Sequence, residues 1–181
     1  MRAVANPLVF RSATAADVDA LVPLVTSAYR GDASRAGWTT EADILDGNRI
    51  VPEVLLEDIA RPRSRILMAR RDDTLLGCAH VEARGDAGYF GMFAVAPTRQ
   101  RAGLGGAILA EAERVVRDEW QLPRMRMTVI DLREELIAWY ERRGYHRTGE
   151  TLPFPATDPR FGLPKRDDLR FAVLEKELPH G

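Results

Sequence analysis

The chain has 181 residues, 45% apolar and 29% charged, with 26 basic side chains against 27 acidic ones for a net charge of -1. That balance excludes a disordered chain and argues against a dedicated nucleic-acid binder, whose phosphate contacts need a strongly basic face. The length fits one domain, residues 1–181, around one sizeable core. Cys78 is the only cysteine, which rules out an internal disulfide framework, and His80, His146 and His180 are scattered without metal-ligand spacing. No metal is therefore expected. No apolar run approaches the roughly 18 residues of a membrane span, and Met1 to Phe10 lacks the apolar centre of an export signal. The expectation is a cytoplasmic protein without membrane or nucleic-acid partners, a monomer or homodimer.

After a short apolar stretch, Leu8 to Phe10, Thr14-Ala15-Ala16-Asp17 reads as a capping box opening a helix. Val18, Leu21, Val22, Val25 and Tyr29 follow at helical spacing, with a kink expected at Pro23. Arg30 to Gly37 reads as a loop, and Thr39 to Ile59 as helix in parts, interrupted by Gly47 and Pro52. Ile66 to Ala69 and Thr74 to Val81 flank the turn Arg71-Asp72-Asp73, which predicts a hairpin. A second turn, Arg84 to Gly88, leads into the strand Tyr89 to Val95. Leu104, Ile108, Ala112, Val115 and Val116 carry a helix to about Trp120, and Met125 to Ile130 is strand-like. Asp131-Leu132-Arg133-Glu134 reads as another capping box, for a helix ending near Gly144. Tyr145 to Thr148 and Leu169 to Leu174 close the chain as strands. This order predicts an α/β (α+β) fold with a mixed sheet.

The chemically informative segment is Gln100-Arg101-Ala102-Gly103-Leu104-Gly105-Gly106, between a strand and a helix. Glycines there admit a close ligand, and a helix start offers unpaired amide N–H groups and a favourable dipole to phosphate oxygens. Arg99 and Arg101 stand ready to add charge-assisted bonds. Ala107 and Ile108 follow where a Walker loop needs Lys and Ser or Thr, and Ile108 also replaces the third glycine of a dinucleotide fingerprint. ATP and NAD are disfavoured.

These residues resemble the Gln/Arg-x-x-Gly-x-Gly/Ala signature of the GCN5-related N-acetyltransferases, which hold the pyrophosphate of acetyl-CoA. Ile137 to Tyr145 is similar to the later Ala-x-x-Tyr-x-x-x-Gly-Phe/Tyr segment of that family, and the likeness runs from about Val9 to Arg147. The whole sequence resembles a bacterial subgroup sharing the stretch around Trp38 and the loop Glu150 to Pro155. The resemblance implies a mostly antiparallel central sheet with a splayed strand pair, flanked by helices on both faces. It implies acetyl-CoA as donor co-substrate, with the main chain of Phe93, Ala94 and Val95 holding pantetheine. Arg101, Ala102, Gly103, Leu104, Gly105 and Gly106 would hold the pyrophosphate, with no side chain tolerated at Gly103 or Gly105. Tyr140 matches the tyrosine that protonates the departing thiolate.

An amine acceptor is mostly ammonium at pH 7, and freeing it costs roughly 4 to 5 kcal/mol, so a base is expected. Some members of the family carry a carboxylate near the position of Tyr89, and Tyr89 to Phe93 contains none. Glu82, taken as the catalytic partner of Tyr140, and His80 alternate onto one face of the neighbouring strand; Glu41, Asp43 and Glu150 are candidates acting through water. Arg133 stands where many members have Asn, and Cys78 has no base beside it in sequence. Trp38 and Phe154 are candidate walls for the acceptor, and the six acids between Thr39 and Ile59 against Arg49 would attract a cationic amine. The expected activity is acetyl transfer to a primary amine of a small molecule. The alternatives are a protein N-terminus or lysine as acceptor, or a non-catalytic sensor of CoA.

Overall fold

Two tight turns set the centre of the sheet in this computed structural model, which describes residues 6–29, 45–46, 51–96, 103–154, 163–165 and 168–180. Strand β3 (Ser64–Arg71) turns through Asp72 and Asp73 into β4 (Thr74–Arg84), and β4 turns through Gly85 and Asp86 into β5 (Ala87–Val95). Asp72 (φ +56°) and Gly85 (φ +60°) supply the left-handed backbone such short hairpins require. Strand β1 (Val9–Ser12) joins the outer edge of β3. On the other side lie β6 (Arg124–Ile130), β9 (Arg170–Glu177) and β7 (His146–Pro153). The order β1-β3-β4-β5-β6-β9-β7 makes a seven-stranded sheet in which only β5 and β6 pair in parallel. A separate pair joins β2 (Leu45–Asp46) to β8 (Leu163–Pro164).

Helices cover both faces. Helix α1 (Val18–Tyr29) continues through Pro23, and α2 (Pro52–Ala60) begins at the proline that the sequence reading took as an interruption. Proline lacks only a donor that the first helical turn leaves unpaired anyway, so Pro52 starts a helix readily. These two helices set Leu21, Val25 and Leu55 on Ile66, Met68, Cys78 and Met92 of the sheet. On the opposite face, α3 (Leu104–Arg114) and the π-helical turn Val115–Glu119 set Ile108, Leu109 and Val115 on Ala79, Phe90 and Met125. Helix α4 (Glu134–Glu141) adds Ile137 and Tyr140 to this second core. Each fully buried Leu or Ile contributes roughly 2 kcal/mol, so both faces are held by apolar burial.

Two local expectations resolve differently. At Thr14 the carboxylate half of the capping box forms, with the Thr14 N–H donating to Asp17 Oδ2 at 2.7 Å. Paired also with Arg11, Asp17 has its pKa lowered to about 2. Asp131 does not cap α4: it lies in a turn, Arg133 takes the cap position, and the helix starts at Glu134. The reason is that the Arg133 N–H is already committed to the Ile130 carbonyl at 3.0 Å, closing a turn first. The end of the helix is as expected. Gly144 (φ +97°) follows it, and the Tyr145 N–H closes back on the Tyr140 carbonyl at 3.2 Å. The loop Arg30 to Gly37 lies outside the described residues. Among the described residues no helix is long and apolar enough to cross a membrane.

Candidate active site

Strands β5 and β6 pair only where Ala87, Gly88 and Tyr89 face Arg124, Met125 and Arg126. Beyond Tyr89 they separate, and a cleft of about 830 Å³ is lined from both strands, by Phe90 to Phe93 and by Met127 to Ile130. The Tyr89 hydroxyl bridges the vertex to Thr128 Oγ1 at 3.0 Å, and the Arg84 guanidinium lies 3.9 Å over its ring. A phenol and an arginine thus stand where the resemblance puts a carboxylate.

A bulge aims the wall of the cleft. On β4, Cys78 faces Ala94 but His80 faces Gly91, so β5 carries one extra residue, and Met92 adopts φ +47°. Residues two apart on a regular strand share a face, yet Phe90 packs with α3 and α4 while Met92 packs with α1 and α2. The switch puts Phe93 and Val95 on the α3/α4 side and Ala94 on the other. Cys78 is fully buried, with its Sγ directed at the Met92 carbonyl 3.9 Å away.

One half of the cleft is aromatic. Tyr140, 3% exposed, lines the cleft and touches the rings of Phe90, Phe93, Trp139 and Tyr145, all within 6.4 Å between centroids. Gly103 caps α3 at φ +76°, a conformation that admits glycine most easily. At Gly105 the structure shows a packing constraint of its own. A Cβ there would lie 3.1 Å from Phe93 Cζ and 3.4 Å from Trp139, so it is protein packing that crowds the position. Leu104 buries its side chain in the core, leaving only its main chain to the helix start. Beside Gly106 lies Arg143, which sequence reasoning did not single out. Its guanidinium stacks 3.6 Å over Trp139, donates to the Trp139 carbonyl at 2.9 Å, and pairs with no carboxylate among the described residues. Burial, with Arg142 nearby, lowers its pKa. The signal for it was its spacing, one helical turn beyond Tyr140. Gln100, Arg101 and Ala102 lie outside the described residues.

The opposite wall is ionic. His80, 6% exposed, lines the cleft with Asp58 and Arg61, while Glu82 sits behind them and is not among the lining residues. Arg61 Nη1 bridges Glu82 Oε2 at 2.8 Å and Asp58 Oδ1 at 3.1 Å, and Arg84 Nε lies 3.4 Å from Glu82 Oε1. Burial alone would raise the Glu82 carboxyl, but Arg84, His80 and Arg61 outweigh it and hold its pKa below the ordinary value. A carboxylate clamped in this way is a poor proton acceptor, so the structure does not favour the base role that the strand alternation suggested for Glu82. Asp58, His80 and Glu82 present ligand atoms within 4.8 Å of one another. A divalent cation would enter that space against two guanidinium groups already neutralising both carboxylates, so the cluster does not suit one. Phe154 lines the far side of the cleft, against Phe171 at 5.4 Å, and Glu150 is paired with Arg126 at 3.2 Å. Glu41, Asp43 and Trp38 lie outside the described residues.

A profile of the acetyltransferase (GNAT) family matches residues 26–145 of the chain. No curated protein matches the sequence. Among solved structures, the ribosomal-protein-S18-alanine N-acetyltransferase of Escherichia coli superposes with a TM-score of 0.69 at 13% identity, over 97% of this chain and 96% of that one. The PaiA N-acetyltransferase of Thermoplasma acidophilum, in complex with coenzyme A, gives 0.68 at 16% identity over 94% and 99%. A chimeric spermidine N-acetyltransferase from Vibrio cholerae gives 0.67 at 13% over 94% and 95%. At these identities the likenesses speak for the fold.

Proposed function

The chain belongs to the acetyltransferase (GNAT) family, and from that premise we propose that it transfers acetyl from acetyl-CoA directly to a primary amine of a small molecule. In this reading residues 1–181 act as one domain, in the cytoplasm. The observation that carries the proposal is the separation of β5 from β6 beyond Tyr89, with Tyr140 lining the gap. The resemblance assigns the main chain of Phe93, Ala94 and Val95, on the β5 side of that separation, to the amides of a pantetheine arm. The start of α3, from Gly103 through Leu104 and Gly105 to Gly106, receives the pyrophosphate with Arg101 and Ala102, and Arg143 adds its charge at Gly106.

Tyr140 serves as the acid. Its phenol shares a proton with sulfur as charge builds there, and the aromatic rings around it fix its direction. Cys78, buried behind the bulge, takes no covalent acetyl, so transfer is direct. Glu82 acts as a fixed charge: it orients Arg61 and Arg84 at the acceptor end. Glu57 and Phe154 both line the cleft.

The test is calorimetric titration with acetyl-CoA, with ATP and NAD as controls and displacement of labelled CoA as confirmation. Saturable binding of acetyl-CoA alone is expected. A screen of amines for thiol release then names the acceptor class. Discharge only by peptides would move the acceptor to protein, and binding without discharge by any amine would leave a CoA sensor.

A further inference from the structure

The geometry points to His80 as the group that takes the proton from the acceptor ammonium, with Ser64 and Asp58 as its positioning residues. This rests on the acetyltransfer reading above and supplies the base that β5 lacks. Ser64 Oγ donates to the Asp58 main-chain carbonyl at 2.6 Å, and a carbonyl can only accept. The hydroxyl has one proton, so toward His80 Nε2, 2.8 Å away, it must act as acceptor. The imidazole therefore carries its hydrogen on Nε2, and Nδ1 keeps the lone pair. Nδ1 faces Asp58 Oδ2 at 3.9 Å, close enough for that carboxylate to stabilise the imidazolium once a proton arrives. This is the division of labour of a hydroxyl–imidazole–carboxylate array, with the imidazole as acceptor rather than activator of the serine.

His80 also stands in the right place. It faces Gly91 across β4 and β5, and Gly91 presents no side chain at the step before the bulge. The ring is thus part of the wall of the same cleft that Tyr140 lines. The groups facing it are Asp58 and Arg61 at the end of α2, Ser64 on β3, and Glu82 and Arg84 on β4. Burial lowers the pKa of His80, helped by Arg84 and Arg61 and opposed by Asp58 and Glu82, so the ring is neutral and ready at pH 7. The carboxylates beside it are already clamped by arginine.

The step balances. An ammonium R–NH3+ passes one proton to His80 Nδ1. The freed nitrogen lone pair bonds the acetyl carbon as the carbon–sulfur bond breaks, and sulfur takes a proton from the Tyr140 hydroxyl. The nitrogen returns a proton to the Tyr140 oxygen, and His80 later releases its own to solvent.

The test compares two nucleophiles at pH 7, ethylamine, which is protonated, and hydroxylamine, which is largely not. With His80→Gln, thiol release from acetyl-CoA by ethylamine should fall about 100-fold, hydroxylamine should be affected less than threefold, and acetyl-CoA should bind as in wild type. Asp58→Asn should move the acid limb of the ethylamine profile to lower pH, because it removes a charge that favours the imidazolium. Heteronuclear NMR of the wild type should find Nδ1 unprotonated at pH 7. Equal losses with both nucleophiles, no loss with either, or a proton on Nδ1 would overturn the assignment. Wild-type protein that binds no acetyl-CoA would instead remove the proposed function itself.

Discussion

The two walls of the cleft are built from different materials. The wall on the proposed donor side, Phe90, Phe93 and Tyr140 backed by Trp139, is a stack of rings beside a helix start that carries glycines. The wall on the proposed acceptor side, Asp58, Arg61, His80 and Arg84 backed by Glu82, is a network of ion pairs around one imidazole. Rings fix position by shape, and shape is lost as soon as one volume changes. Ion pairs with arginines 40% and 53% exposed can exchange a lost partner for water. The donor wall should therefore be brittle and the acceptor wall tolerant in stability but not in rate.

The sharpest challenge to that contrast is Gly105→Val, which forces branched carbon into Phe93 and Trp139. It should cost about 3 kcal/mol in denaturant unfolding and abolish acetyl-CoA binding; a variant of normal stability would mean that the rings are loosely held. Tyr140→Phe keeps the stack and removes only the hydroxyl. Turnover should drop about 100-fold with acetyl-CoA affinity unchanged, as read by steady-state rates and calorimetry. On the ionic wall, Glu82→Gln should destabilise by only about 1 kcal/mol, because Arg61 and Arg84 can turn to solvent. A loss as large as that at Gly105 would erase the distinction.

Arg143→Met is a smaller effect on the donor side. It should weaken acetyl-CoA about fivefold and leave acetyl-pantetheine, which has no phosphates, unchanged. The smallest is a pH slope. His80 has a lowered pKa in the fold, so the unfolded chain binds more protons, and stability should decline as pH falls below about 6.5. His80→Gln should flatten that slope in unfolding curves between pH 7.5 and 5.5.

Much of the aromatic, glycine-lined wall is legible in the sequence. Gly103, Gly105 and Tyr140 lie in two short segments whose spacing carries the resemblance, and their local structure follows from glycine and helix-end chemistry. The hairpins at Asp72 and Gly85 were equally plain, since turn residues punctuate apolar runs. Asp131 misled because a capping box describes only four residues, whereas the preceding turn at Ile130 had already engaged the backbone. The bulge at Met92 had no signature at all: methionine has no preference for positive φ, and the register between β4 and β5 imposes it.

The acceptor wall shows where sequence alone stops. Periodicity and turn residues supplied most of the order of elements, and two motifs carried the resemblance to the family and marked Gly103 to Gly106 and Tyr140 as candidates, because each of these depends on residues close in sequence. The tertiary structure decided that Glu82 is clamped, that Ser64 and Asp58 direct the hydrogen of His80, and that Arg143 reaches Gly106. Those contacts join the end of α2, strands β3 and β4, helix α3 and the turn after α4. A proton's position on an imidazole is set by what lies within 3 to 4 Å of it, and that set is assembled only when the sheet and helices close together.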